Sequence, residues 1–371
     1  MKKILNWLLT LEPMVHAMAF CGLCVLPARA QEPAKQWYDN IKFSGYGMLQ
    51  YQGQDKEGEK SNTFNLRILR LILDGKAGDF DWRVQLQGTS NTGPGQPTVQ
   101  LVDLYAEWTK YKEMRVKVGQ FHRAFTFENP THPIYQGWYS CADVTNALAG
   151  IGDRSGEKWS AGRDIGVQVE GDLLPNASGR RLLHYQAGVY NGEGINSKDK
   201  DNRKDIMGGL WVMPVDGVRI GAFGWTVSRG GMTDGHGDIV SMGKNRYAIS
   251  AAYDKDEYCF RAEYLHSQGW GADMAGSNTI DYAKGDKADG WFVYGIVPVV
   301  KGKLHAKARY QTYRIDKTWG SAKTSYEAGV NCFFSKGLQL NLEYARVNDR
   351  TIDNPDKHNY NLINAQLNIR F

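Results

Sequence analysis

The densest run of side chains able to do chemistry is Gly302-Lys-Leu-His-Ala-Lys-Ala-Arg-Tyr-Gln311. Lys303, His305, Lys307 and Arg309 alternate with Leu304, Ala306, Ala308 and Tyr310, so an extended chain puts the four basic heads on one side. At a rise of roughly 3.3 Å per residue they stand about 6.6 Å apart. Such a ladder replaces part of an anion's hydration shell and, because each rung is only a moderate site, lets the ion leave again. The same four residues also read as the wet face of a strand, each charge paired to an acid on a neighbour.

Enzymatic chemistry has no comparable constellation. A hydrolase needs nucleophile, base and orienting group in one place, whereas His122, His132, His184, His236, His266 and His358 are scattered with no nucleophile motif beside any of them. After the leader described below, Cys141, Cys259 and Cys332 are odd in number and show no close pair, so neither a metal site nor a disulfide framework is expected, and no cofactor is called for. The net charge of +5 is too small to predict a nucleic-acid partner.

The elements that must position the basic run show a period of two. In Tyr360-Asn-Leu-Ile-Asn-Ala-Gln-Leu-Asn-Ile-Arg-Phe371, Ile363, Ala365, Leu367, Ile369 and Phe371 share one face and Asn364, Gln366, Asn368 and Arg370 the other. That polar half is too wet for a sandwich core and suits a wall between lipid and water. At the other end, Lys2 and Lys3, an apolar stretch and Ala28-Arg29-Ala30 form an export signal, giving a cleaved leader 1–30, a short lead 31–40 and a barrel 41–371. No later segment supplies the roughly 20 apolar residues of a spanning helix. The 20 Tyr, 11 Trp and 42 Gly fit interfacial girdles and a curved sheet.

Seven short turn signals, the first at 74–79 and the last at 335–337, alternate with eight longer polar links, which predicts sixteen antiparallel strands. Their expected starts are Ile41, Thr63, Phe80, Val99, Met114, Arg163, Arg181, Asp205, Val218, Asn245, Glu257, Asp289, Lys303, Lys323, Leu338 and Asn359. A barrel of about 16 strands leaves an aqueous lumen. On this parity Lys117, Arg261 and the basic ladder face inward in a nearly balanced set of ten cations and eight carboxylates, so selectivity must come from local segregation. Phe64-Asn-Leu-Arg-Ile-Leu-Arg-Leu-Ile-Leu73 resists the pattern because Arg67 and Arg70 have opposite parity; a bulge between them or an arginine near a rim reconciles it.

The third long link, 121–162, is long enough to fold into the lumen and narrow it, and its aromatic residues favour packing. Arg123, Arg154 and Lys158 there face Glu128, Asp143, Asp153 and Glu157. Packing at the rim or on a neighbouring subunit is the other reading.

Val116-Lys-Val-Gly-Gln-Phe-His-Arg-Ala-Phe-Thr-Phe-Glu128 resembles the segment that introduces the constricting loop in phosphate-selective porins of the O and P type. Gly162-Arg-Asp-Ile-Gly-Val-Gln-Val-Glu-Gly171 is similar to the strand that closes it, and Phe64 to Leu71 to the family's Arg-rich second strand. The resemblance implies an all-β, 16-stranded transmembrane barrel with a long constricting third loop, a homotrimeric outer-membrane porin. Arg123, Arg163, Lys303, Lys307 and Arg309 become candidates for anion contact, and Gly119 and Glu128 for holding the loop. The loop departs from the family in being acid-rich, with Ala124 where a more basic or proline-rich stretch is common. The expected partners are small hydrophilic solutes with a lean to anions such as phosphate, outer-membrane lipid, and the barrel assembly machinery that reads an aromatic end such as Phe371. Two alternatives stay open: a non-selective general porin, and a structural or adhesive barrel with a blocked lumen.

Overall fold

The computed structural model describes residues 40–89, 99–157, 161–226, 228–273 and 277–371. The expected leader, the lead up to residue 39 and Lys158 lie outside them. The first nine strands are β1 (Lys42–Gln54), β2 (Ser61–Ala77), β3 (Phe80–Gly88), β4 (Val99–Tyr111), β5 (Met114–His122), β6 (Arg163–Pro175), β7 (Arg181–Tyr190), β8 (Asp205–Val212) and β9 (Val218–Thr226). A loop hairpin of β10 (Ser228–Thr233) and β11 (Ile239–Gly243) precedes β12 (Asn245–Lys255) and β13 (Tyr258–Gln268). A second, of β14 (Gly271–Ala272) and β15 (Ile280–Asp281), precedes β16 (Lys287–Val300), β17 (Leu304–Arg314), β18 (Ala322–Ser335), β19 (Leu338–Asp349) and β20 (Asn359–Arg370).

Leaving out the two loop hairpins, sixteen strands pair antiparallel with their sequence neighbours, and β20 pairs with β1 to close the barrel. Gly45 and Phe371 complete the seam by exchanging backbone hydrogen bonds of 2.9 and 3.1 Å. Closure satisfies the backbone without an edge, which a bilayer requires. No strand start moves more than two residues from its expected place. The two hairpins were not anticipated, because the residues that hold them, Met232, Met242, Ala272 and Ile280, are spread singly through polar sequence.

Leu342, Ile363, Val167 and Ile249 are exposed on the outer face, while their strand neighbours Asn341, Asn364, Gln168 and Ser250 turn inward. One arginine at the bilayer midplane would cost about 2 to 4 kcal/mol on the outer face, which sets the register. The conflict in β2 resolves by a bulge: Met48 stands opposite Ile68 and Leu49 opposite Leu66, leaving Arg67 as the extra residue. Arg67 therefore turns inward with Arg70.

The segment between β5 and β6 folds into the lumen. Phe125, Phe127, Trp138, Val144 and Leu148 join the inward-facing Phe223, Trp225, Leu265, Phe292 and Tyr294 in one apolar cluster. Burying each large side chain contributes about 1.5–3 kcal/mol, so the loop is held as a core element. It carries a short helix, Asp143–Leu148. Filling this half of the lumen leaves the space beside β2, β3 and the start of β6.

Candidate functional site

The inward loop is tied down by polar contacts from the wall. Glu263 accepts the backbone N–H groups of Phe127 and Glu128 at 2.9 and 2.8 Å. Glu128 in turn accepts from Ala142 N at 3.1 Å and Thr145 Oγ at 2.6 Å, knitting the loop to itself. Gly119 introduces the loop at φ +131°, where a Cβ would stand 2.2 Å from the Leu104 carbonyl oxygen, so only glycine fits.

Most of the cations expected to meet an anion are spoken for. Arg123 is 1% exposed and pairs with Glu157, Asp164 and Asp205. Lys307 Nζ donates to Glu343 at 2.5 Å and to the Gly137 carbonyl at 2.6 Å. Arg309 donates to Glu327 and, at 2.9 Å, to the Ser140 carbonyl. His305 meets Glu257 at 2.9 Å, Lys117 sits between Glu107 and Glu170, and Arg261 faces Asp254 at 3.5 Å. Lys303 lies in the turn before β17, so the four heads are not one ladder. Arg154 donates to the carbonyls of Gly269, Lys284, Gly285 and Ile315, joining the inward loop to outer ones. A cation withdrawn from water is costly unless paired, and the pairing cancels its field.

Two arginines, with Arg163 beside them, are placed otherwise. A cavity of about 290 Å³ opens between the inward loop and the barrel wall, lined on the wall side by Arg67, Arg70, Gln87 and Arg163. The loop side contributes Thr131, Gln136, Ser140 and Asn146 among others, and among the described residues no acidic one lines the cavity. Arg67 Nη1 donates to Gln366 Oε1 at 2.6 Å and Arg70 Nε to Gln87 Oε1 at 2.9 Å, both neutral amides. Arg163 reaches Asp103 at 3.0 Å and the Ala161 carbonyl at 2.7 Å. Arg70 Nη1 has no hydrogen-bond partner among the described residues. His132, on the loop, lies 3.5 Å from Arg83; burial, followed by the charges of Arg70, Arg163 and Arg83, pushes its imidazole down to about 3, so it stays neutral near pH 7.

Sequence reasoning thus named Arg163 but passed over Arg67 and Arg70 as site residues. Their signal was visible as the parity conflict in β2. What could not be read was that, among the described residues, each meets a neutral amide and neither a carboxylate.

The phosphate-selective porin O and P family matches residues 44–257. No curated protein matches the chain in sequence. Among solved structures, OmpF of Salmonella typhi in complex with daunomycin aligns with TM-score 0.64 at 11% identity, over 90% of this chain and 98% of that one. An anion-selective porin from Comamonas acidovorans gives 0.63 at 11% identity, over 89% and 99%. The outer membrane channel DcaP of Acinetobacter baumannii gives 0.60 at 10% identity, over 89% and 97%. These likenesses are of fold. The sequence match runs from β1 to the turn after β12, through both ends of the inward loop and the arginines of β2: the chain belongs to the phosphate-selective porin O and P family and is a passive channel of the bacterial outer membrane.

Proposed function

We propose that this porin favours small anions, phosphate among them, and that Arg67, Arg70 and Arg163 form its selective constriction. The observation that carries the reading is a loop-bounded cavity lined by three arginines, two of which, Arg67 and Arg70, hydrogen-bond neutral amides, with no acid among the described lining residues. Guanidinium forks match the oxygens of phosphate and carboxylate, and mobile charge in a narrow, low-dielectric passage responds strongly to fixed charge. The remaining candidates, Arg123, Lys117, Arg261, His305, Lys307 and Arg309, then act as ties that hold the wall and the loop. The solute moves down its gradient, and no covalent step enters. Family membership supports a homotrimer and delivery by the barrel assembly machinery.

Planar-bilayer recording under a salt gradient tests the proposal. The zero-current potential is expected to carry the anion-selective sign, and added phosphate to reduce chloride current. A cation-selective sign would overturn it, and a protein adding no conductance steps would favour a blocked structural barrel.

A further inference from the structure

Beside its ion pairs, the inner wall carries a run of neutral carboxamides. Paired charges crowd β4 to β6 through Glu107, Arg115 and Glu170, and β17 to β19 through Arg309 with Glu327 and Lys307 with Glu343. From β18 round to β2, beside Glu327 and Glu343, the wall also carries a continuous set of carboxamides. Asn331 pairs in register with Asn341, Asn341 with Gln366, Gln366 with Gln50, and Gln50 with Asn65. That is an unbroken row of five Asn and Gln residues across β18, β19, β20, β1 and β2. At about 4.8 Å between strands the row spans roughly 19 Å. A second pair, Gln339 opposite Asn368, lies beside it.

Two contacts tie this panel to the constriction. Arg67 donates to Gln366 at 2.6 Å, in the middle of the row. At its far end Asn331 approaches the inward loop, where a Cβ on Gly137 would stand 3.1 Å from Asn331 Nδ2. Asn331 Oδ1, Gln366 Nε2 and both amide atoms of Asn368 have no hydrogen-bond partner among the described residues. Each carboxamide offers donors and an acceptor together, and a hydroxyl does the same, whereas the oxygens of an ionised inorganic anion chiefly accept. The donors of the panel also suit bare phosphate, but its acceptors, Asn331 Oδ1 and Asn368 Oδ1 among them, are used only by a solute that donates as well.

We infer that the preferred solute is a polyhydroxylated anion of the sugar phosphate class, its phosphoryl group on Arg67 and Arg70 and its hydroxyls on the carboxamide row. This rests on the anion-selective reading above and extends it from charge to the solute's uncharged frame. Bonds to neutral amides are individually modest, so the solute is retained without being trapped.

The test is block of chloride current through the full mature protein by inorganic phosphate, glucose 6-phosphate and glucose. Glucose 6-phosphate is expected to half-block at a concentration at least threefold below that of phosphate, with glucose far weaker than either. Asn341→Leu with Asn368→Leu is expected to bring the ratio of the two half-blocking concentrations to about one; if that pair does not assemble, Gln50→Met alone is expected to narrow it. Equal block by the two anions, block by glucose as strong as by its phosphate, or a ratio unmoved in a folded variant would each overturn the inference. The zero-current potential in the same bilayers separates the two claims: an anion-selective channel without a glucose 6-phosphate advantage sinks only this one, and a cation-selective channel sinks both.

Discussion

At the scale of single residues, chemical type says little until the partner is known. Arg309 and Arg70 are both inward-facing arginines, yet Arg309 has Glu327 directly opposite in register and Arg70 has Gln87 on one side and Tyr46 on the other. The first charge is cancelled where it stands, and the second, though buried, borders the cavity with a neutral amide and a phenol for neighbours. Replacing Arg70 by Gln should therefore lower the chloride-to-potassium permeability ratio several-fold, since one charge at about 5 Å and an effective dielectric of about 40 is worth roughly 1.5 kcal/mol. Lys307→Met removes a cation whose field Glu343 already offsets, and with it the tie to the Gly137 carbonyl. Its expected signature is noisier current with a smaller change in the permeability ratio. Zero-current potentials of the two variants side by side decide between these roles, and a larger loss of selectivity in Lys307→Met would return the basic run of β17 to the selective site.

At the scale of elements, the inward loop behaves as a core segment pinned by buried ion pairs. Asp153 receives Arg246 Nη1 and Nη2 at 2.5 and 2.7 Å, and its two oxygens also take Gly150 N at 3.1 Å and Ser155 N at 2.9 Å. Burial alone would raise the Asp153 carboxyl, but Arg246, Lys244 and the Ser155 hydrogen bond outweigh it and hold it well below the usual carboxylate range. A group depressed on folding contributes its full stability above its unfolded pKa of about 3.9, and that contribution shrinks as pH falls from there through the lower folded value. The Asp153 tie should thus stay intact from pH 7 down to about 4 and weaken in stronger acid, visible as rising open-channel noise below that point and not above it. Asp153→Asn strands Arg246 and should cost about 3–5 kcal/mol of loop attachment, read as the same noise at neutral pH and as faster proteolysis within 131–152. The strands themselves were legible in the sequence because lipid enforces a period of two, and even the exception in β2 announced its bulge. The loop's ties were not: Asp153 and Arg246, or Phe127 and Glu263, are joined only after long links close, and no turn length fixes which of them meet. The carboxamide row was likewise visible as wet-face residues of single strands, but its continuity depends on cross-strand register.

At the scale of the whole molecule, the division of the lumen determines what can pass. An empty sixteen-stranded barrel leaves a wide aqueous channel. Here the aromatic side of the inward loop fills the half against β9, β13 and β16, through Phe125 on Trp225 and Trp138 on Tyr294 at ring separations of 5.5 and 5.8 Å. The passage is displaced toward β2, β3 and the start of β6, where Arg67, Arg70 and Arg163 stand. On the proposed reading one element bounds the conducting path, while the wall supplies the selective charges. Replacing residues 124–156 by a short Gly-Ser linker keeps all three arginines and the closed sheet but removes the opposing surface. Single-channel conductance should rise several-fold, while the anion preference should shrink because the arginines now act across a wide, well-screened lumen beyond a Debye length of about 10 Å at 0.1 M salt. Glu263, which loses the backbone N–H groups of Phe127 and Glu128, would add its own opposing field. A shortened protein that still resists SDS at room temperature yet conducts like the full chain would show that the loop does not bound the conducting path.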